Sequence, residues 1–187
     1  SMLDLKRLQR LKLRKIPWGQ LLVANLGMRP NYGFLPGVNI VLEGLDNLPS
    51  NERVIFALNH TDRYNPWPFQ FMLYRKKLGF TVTWVKAKYY ESRFIGTFMT
   101  ACNNIPLPSR GYVISTEFRK FMKRAPSNEE YRVIRDMMDG VRDLSDPFLP
   151  GDSDDVKRFF EGTSGSVVET IQHLEGYFGE MMKIVSR

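Results

Sequence analysis

The chain holds 187 residues, 43% hydrophobic and 25% charged, ordinary usage for a domain with a substantial core; collagen-like, disulfide-stapled and wholly disordered chains are excluded. Lysine and arginine number 27 against 20 aspartates and glutamates, and the resulting +7 favours an anionic partner: a phosphate ester, a membrane surface or nucleic acid. One cysteine, Cys102, and two histidines, His60 and His173, give no internal disulfide and no zinc-ligand spacing, so no metal is expected and a reducing compartment is the default.

Ser1-Met2 reads as a tag-cleavage scar, no secretory signal is visible, and no run of 18 apolar residues occurs. Residues 3–16 predict a basic helix. Leu5, Leu8, Leu11, Leu13 and Ile16 mark a rough apolar stripe, with Lys6, Arg7, Arg10, Lys12, Arg14 and Lys15 around it. Pro17 stops that helix. Trp18, Leu21, Leu22, Val23, Leu26 and Met28 follow, and together residues 3–28 have the character of a segment lying in a membrane interface. The plainer reading is a helix packed on its own domain.

Residues 29–37 carry two prolines and two glycines and predict a loop. The runs 38–43 (VNIVLE) and 54–58 (VIFAL) read as strands, the second short and buried and ending at Asn59-His60. Asn65-Pro-Trp-Pro opens a helix, with asparagine as N-cap and proline in the first turn. Residues 81–85 (TVTWV) are again β-rich, residues 86–99 look helical, and 102–105 form a short strand ended by Pro106 and Pro108. This alternation predicts an α/β layer architecture. Trp67, Trp84, Phe69 and Phe98 are expected in the core, and Cys102 as a small buried side chain.

Beyond it the chain changes character. Residues 112–145 look helical and charged, 145–165 are rich in turn formers and acids, and 166–185 give the clearest helix, with Val167, Ile171, Leu174, Phe178, Met181 and Val185 at helical spacing. Asp152, Asp154 and Asp155 read as a solvated loop and His173 as a surface or boundary residue. Three segments follow: 1–28, a basic amphipathic N-terminal segment; 29–111, an α/β core; and 112–187, a helical insertion or extension.

His60 stands at the carboxyl end of a predicted strand, just before a helix, where open α/β sheets place ligands. Its ordinary pKa suits a general base; a hydrogen-bonded loop histidine is the alternative. The words around it carry more. Gly37-Val-Asn-Ile-Val-Leu-Glu-Gly-Leu-Asp-Asn-Leu-Pro followed by Val54-Ile-Phe-Ala-Leu-Asn-His resembles the opening of the glycerolipid acyltransferase family, which includes the lysophosphatidate acyltransferases. Lys86-Ala-Lys-Tyr-Tyr resembles that family's lysine-bearing segment after the next strand, and Asn103-Asn-Ile-Pro-Leu-Pro-Ser-Arg-Gly the segment whose arginine holds the acceptor's phosphate. The resemblance covers about residues 37–111.

It implies a partial family-like sheet flanked by helices, and acyl transfer from acyl-CoA or acyl-carrier protein, as co-substrate, to a glycerol-phosphate or lysophospholipid hydroxyl. His60 would take the hydroxyl proton, and Arg110, with Lys86 or Lys88, would hold phosphate. No other cofactor is implied. Two departures stand out. The family's aspartate five residues after the histidine is here Asn65, which can orient an imidazole but not neutralise its charge, a role that Asp62 could take electrostatically. The family's later Phe-Pro-Glu-Gly-Thr-Arg word has only Phe160-Glu161-Gly162-Thr163-Ser164 as a counterpart, read as a chance match ending a loop. The chain is therefore expected to be the N-terminal part of a longer acyltransferase, cytoplasmic and peripheral to the membrane. The alternative is a noncatalytic membrane- or lipid-binding fragment. A nucleic-acid partner is not expected, because charge alone suggests one.

Overall fold

Side-chain caps set where several helices begin. The Asp4, Ser109, Ser127 and Ser166 side chains each accept a hydrogen bond from the backbone N–H three residues on, which satisfies a donor that the first helical turn leaves free. The structure, a computed structural model, describes residues 3–33, 39–49, 52–59, 66–163 and 165–187. In chain order its elements are Leu5–Gln9 (α1), Trp18–Leu22 (α2), Arg29–Gly33 (α3), Pro66–Arg75 (α4), Thr83–Lys86 (β1), Arg93–Ala101 (α5), Asn104–Leu107 (β2), Arg110–Met122 (α6), Asn128–Met138 (α7), Asp154–Thr163 (α8) and Val167–Val185 (α9). A π-helical turn, Val23–Met28, joins α2 to α3, and a 3-10 turn, Ala87–Tyr90, follows β1. The fold is helix-dominated with a small parallel sheet of β1 and β2, compatible with the predicted α/β class.

Two compact units divide the chain. One comprises Ser1–Leu11, Trp84–Thr97 and Ile105–Arg187. In it α6 packs against α7, α8 and α9, and α1 lies on α9. Phe118, Ile134, Val156, Phe159, Phe160, Leu174 and Met181 are buried there, and Leu3 N–H donates to the Tyr112 hydroxyl at 3.0 Å. The predicted helix over 166–185 stands as α9, and the charged helical stretch 112–145 resolves into α6 and α7.

The stretch 145–165 departs from its loop reading. Asp154 and Asp155 sit in the first turn of α8, where the helix dipole favours acids, and Val156, Phe159 and Phe160 form its buried face. The acids are not simply solvated: Asp152 pairs with Arg142, and Asp155 with Arg124.

Arg124 also grips Glu130, whose carboxylate is only 4% exposed, accepts from the Ser127 N–H and completes a capping box at α7. The Arg124 guanidinium above all, with the Ser127 N–H and Ser153 hydroxyl, holds the Glu130 carboxyl down to about 2 against an ordinary value of 4.5. The folded value is the lower one, so this stabilisation is complete above about pH 4.5 and is lost as pH falls toward 2. At neutral pH it contributes about 2–3 kcal/mol, discounted because Arg124 is half-exposed. Glu130→Gln is expected to lower stability by that amount at pH 7 and to flatten the acid limb of a thermal-denaturation series from pH 7 to pH 2.5. An unchanged acid limb would refute the assignment.

The other unit comprises Lys12–Thr83 and Phe98–Asn104. Ala24, Met28 and Phe71 form its buried cluster, with Val23, Tyr32, Ile40 and Tyr74 packed on it. Gly19 lies so close to Ala101 and Cys102 that a Cβ would meet the Cys102 sulfur at 2.7 Å. Cys102 is buried as expected, and burial pushes its thiol up to about 11.

Several sequence expectations are corrected. The N-terminal helix ends at Gln9 rather than near residue 16. Farther along, the buried Asn103 amide accepts from Arg14 N–H at 2.9 Å and donates to Arg14 C=O at 2.7 Å, holding that backbone out of a helical ladder. Helix continues to residue 33 where a loop was expected, because the wider π turn just before Pro30 accommodates a residue that cannot donate an N–H. Residues 39–43 and 54–58 are not strands, and the latter are not buried: Val54, Ile55, Phe56 and Leu58 are 39–80% exposed. Val38 lies outside the described residues. The stretch 86–99 is strand end, 3-10 turn and α5 rather than one helix. β2 runs through Pro106, tolerable because one flank of a strand in a two-stranded sheet needs no N–H. Trp67 and Trp84 are exposed rather than core. Among the described residues no helix is long and apolar enough to cross a membrane.

Candidate functional site

A parallel sheet sends the carboxyl ends of its strands to one edge, where α/β folds collect polar ligands. Here β1 ends at Lys86, and the 3-10 turn that follows carries Lys88. β2 ends at Leu107, and Ser109 then caps α6, whose first residue is Arg110. The three cations singled out in the sequence thus leave the same edge of one sheet. Lys86 and Lys88 are exposed and make no ion pair among the described residues; the Lys88 ammonium lies 5.8 Å from the centre of the Tyr89 ring. His60, Asp62 and Asn65 lie outside the described residues. On either side of them, Asn59 is exposed and α4 begins at Pro66.

Arg110 is differently placed from the lysines. Its Nη1 lies 3.3 Å from Asp139 Oδ1 and its Nε 3.5 Å from Glu175 Oε1. The other Asp139 oxygen pairs with Arg135 Nε at 3.2 Å. The guanidinium carbon stands 6.0 Å from the centre of the Phe178 ring. Arg110, Tyr131, Arg135, Asp139 and Phe178 line a cavity of ≈ 440 Å³ at the N-terminus of α6, large enough for a small phosphorylated headgroup. Gly111 shapes it: a Cβ there would meet the Tyr131 hydroxyl at 2.3 Å, so a larger residue would push that ring aside. Sequence reasoning missed Asp139, Glu175 and Arg135, since nothing in local pattern links them to Arg110.

Other singled-out residues take structural places. The His173 ring is exposed, stacks on Tyr177 and stands 3.8 Å from the Glu117 carboxylate. Phe160-Glu161-Gly162-Thr163 ends α8, not a loop, with Phe160 buried and Glu161 exposed.

Compared with known proteins, the family model described as Acyltransferase matches residues 39–179, about three quarters of the chain. The match runs well past residue 111, through α6, α7 and α8 and into α9. No curated protein and no solved structure matches the chain.

Proposed function

The chain belongs to the acyltransferase family, and from that premise we propose that it moves a fatty acyl group from acyl-CoA or acyl-carrier protein to the free hydroxyl of a glycerol phosphate or lysophospholipid. His60 takes the proton from that hydroxyl. The oxygen attacks the thioester carbonyl; the C–S bond breaks as the tetrahedral adduct collapses, and the thiolate leaves with the proton that His60 returns. Asn65 orients the imidazole, and Asp62 offsets its transient charge. Arg110 binds the acceptor's phosphate, with Lys86 and Lys88 adding positive charge.

The observation that carries this reading is the edge of the β1–β2 sheet, from which Lys86, Lys88 and Arg110 all emerge beside the start of a 13-residue helix. A lipid acceptor also needs a surface that meets lipid. Leu13, Ile16, Trp18, Leu22 and Leu26 are exposed, and Lys12, Arg14 and Lys15 are exposed around the first of them. We assign this stretch, within residues 3–28, to peripheral contact with an anionic membrane on its cytoplasmic face.

Acyl transfer from palmitoyl-CoA to lysophosphatidate in mixed micelles tests the reading. Turnover by the chain is expected, with Arg110→Gln raising the acceptor KM about tenfold, the loss of one charge-assisted hydrogen bond, and leaving the donor KM unchanged. A folded chain without turnover, or an unaltered acceptor KM in the variant, would overturn it.

A further inference from the structure

The charges of this chain are sorted along it. Residues 5–42 hold seven lysines and arginines and residues 63–90 hold six, with no aspartate or glutamate in either stretch. Farther on, cations meet acids: Arg110, Arg119, Arg124, Arg135 and Arg142 all sit in ion pairs. Arg75, Lys76 and Lys77, together at the end of α4, are exposed and make no ion pair among the described residues. The Arg75 guanidinium lies 5.8 Å from the centre of the Phe71 ring on its own helix. Ending the helix accounts for only part of this cluster. The backbone closes as a Schellman motif, with Lys77 N–H donating to Tyr74 C=O and Leu78 N–H to Leu73 C=O, both at 3.0 Å. Lys77 takes the left-handed position, φ 59°, that favours glycine. Leu78 stands where such a motif commonly packs an apolar residue back on its helix, yet it is 51% exposed.

Two hydrogen bonds inside the unit that contains Lys12–Thr83 fix what lies beside this corner. Gln20 Nε2 donates to Thr81 C=O at 2.6 Å, and Asn25 Nδ2 to the Tyr74 hydroxyl at 3.5 Å. Residues 20–25 therefore run antiparallel to residues 74–81, and Leu22 comes level with the end of α4. Ala24, Met28 and Phe71 are buried between the two segments, while Leu22, Leu26, Leu78 and Val82 stay exposed. From this we infer that Arg75, Lys76, Lys77, Leu78 and Val82 form a second contact with an anionic bilayer, beside the stretch 12–26. The inference rests on that stretch meeting lipid. Charge complementarity names the partner: three cations without acids suit lipid phosphates, and their stems, with Leu78 and Val82, suit the apolar edge of the headgroup layer. A fluid interface takes scattered apolar side chains without a shaped groove to receive them. The second contact also adds something the first lacks. A protein held along one line is free to roll about it, whereas two contacts on one compact unit fix which side faces the lipid.

Cosedimentation of the whole chain with phosphatidylcholine vesicles containing about one-third phosphatidylglycerol tests this. The triple variant Arg75→Gln, Lys76→Gln, Lys77→Gln is expected to lower the partition coefficient about fivefold for each cation, and so by up to about 100-fold. A charge-matched variant of exposed cations in the other unit, Lys123→Gln, Arg132→Gln, Arg187→Gln, is expected to change it by less than about threefold. A third variant, Lys12→Gln, Arg14→Gln, Lys15→Gln, tests the stretch on its own. If that variant loses binding while the α4 variant behaves like the charge-matched one, the second contact is wrong and the stretch stands. If neither differs from the charge-matched variant, or wild type does not bind, both fall. Leu78→Cys carrying an environment-sensitive fluorophore reads contact directly, and it labels alone because Cys102 is buried with its thiol pushed up to about 11. A blue shift on these vesicles and quenching by brominated lipid tails are expected. The same probe at Asp154, exposed among the acids that open α8, is expected to show neither. Absence of both signals at residue 78 would overturn the bilayer contact even where the triple variant weakens binding, and would point that corner to an acidic protein instead.

Discussion

His60→Ala is expected to lower kcat for acyl transfer by about 10²- to 10⁴-fold, the usual worth of a positioned general base, with little change in acceptor KM. The hydroxyl of a glycerol backbone is a poor nucleophile until its proton is taken as the C–O bond forms. An imidazole does this near neutral pH because its own proton affinity is close to ambient. The neighbouring residues sharpen the expectation. A carboxylate five residues on would stabilise the imidazolium, but this chain has Asn65, which orients without neutralising. Asn65→Asp is therefore expected to raise kcat, and Asp62→Asn to lower it. The micellar assay with palmitoyl-CoA reads all three variants. Circular dichroism and urea midpoints matching wild type would confirm that the fold is intact. His60→Ala retaining wild-type kcat would remove His60 from the chemistry.

The C-terminal helices were legible because their signals are local. Val167, Ile171, Leu174, Phe178, Met181 and Val185 repeat at helical spacing behind a serine cap, and four of these six are buried. Residues 54–58 show the opposite case. Their composition favours a strand, but a strand exists only where a neighbour completes its ladder, and apolar content cannot reveal that neighbour. The N-terminal helix failed for a similar reason. The backbone at Arg14, where helix was expected to continue, is engaged instead by a side chain 89 residues away, the Asn103 amide. In α8, the acids that looked like loop residues are first-turn residues of a helix.

The candidate site divides in the same way. Lys86, Lys88 and Arg110 could be named because short words of sequence carry them, and the order strand, turn, helix, strand, helix brings them to one sheet edge. Asp139 sits 29 residues from Arg110, on another helix, and no period or motif announces it. Its only local mark is Gly140 behind it, whose left-handed backbone ends α7. The balance of charge at Arg110 is therefore a property of packing, and the +7 total says nothing of it.

Phe159→Ala is expected to cost about 3–5 kcal/mol, a large share of the roughly 5–15 kcal/mol that holds a domain of this kind folded. The side chain is fully buried where α8 meets α6. Its ring centre lies 5.2 Å from that of Phe118, 5.4 Å from Phe160 and 6.3 Å from Phe121, the last two edge-on. Truncation removes one ring from four, and fixed helices on either side cannot close the gap, so the loss includes a cavity as well as buried area. Phe94→Ala is the internal control. That ring is 84% exposed, and its removal is expected to change stability by no more than about 0.5 kcal/mol. Urea unfolding followed by circular dichroism compares the two midpoints. The measurement also separates two accounts of residues 154–163. A solvated loop would tolerate the loss of Phe159 about as well as the loss of Phe94, whereas a helix docked on α6 would not. Equal midpoints for the two variants would mean that α8 does not pack as described.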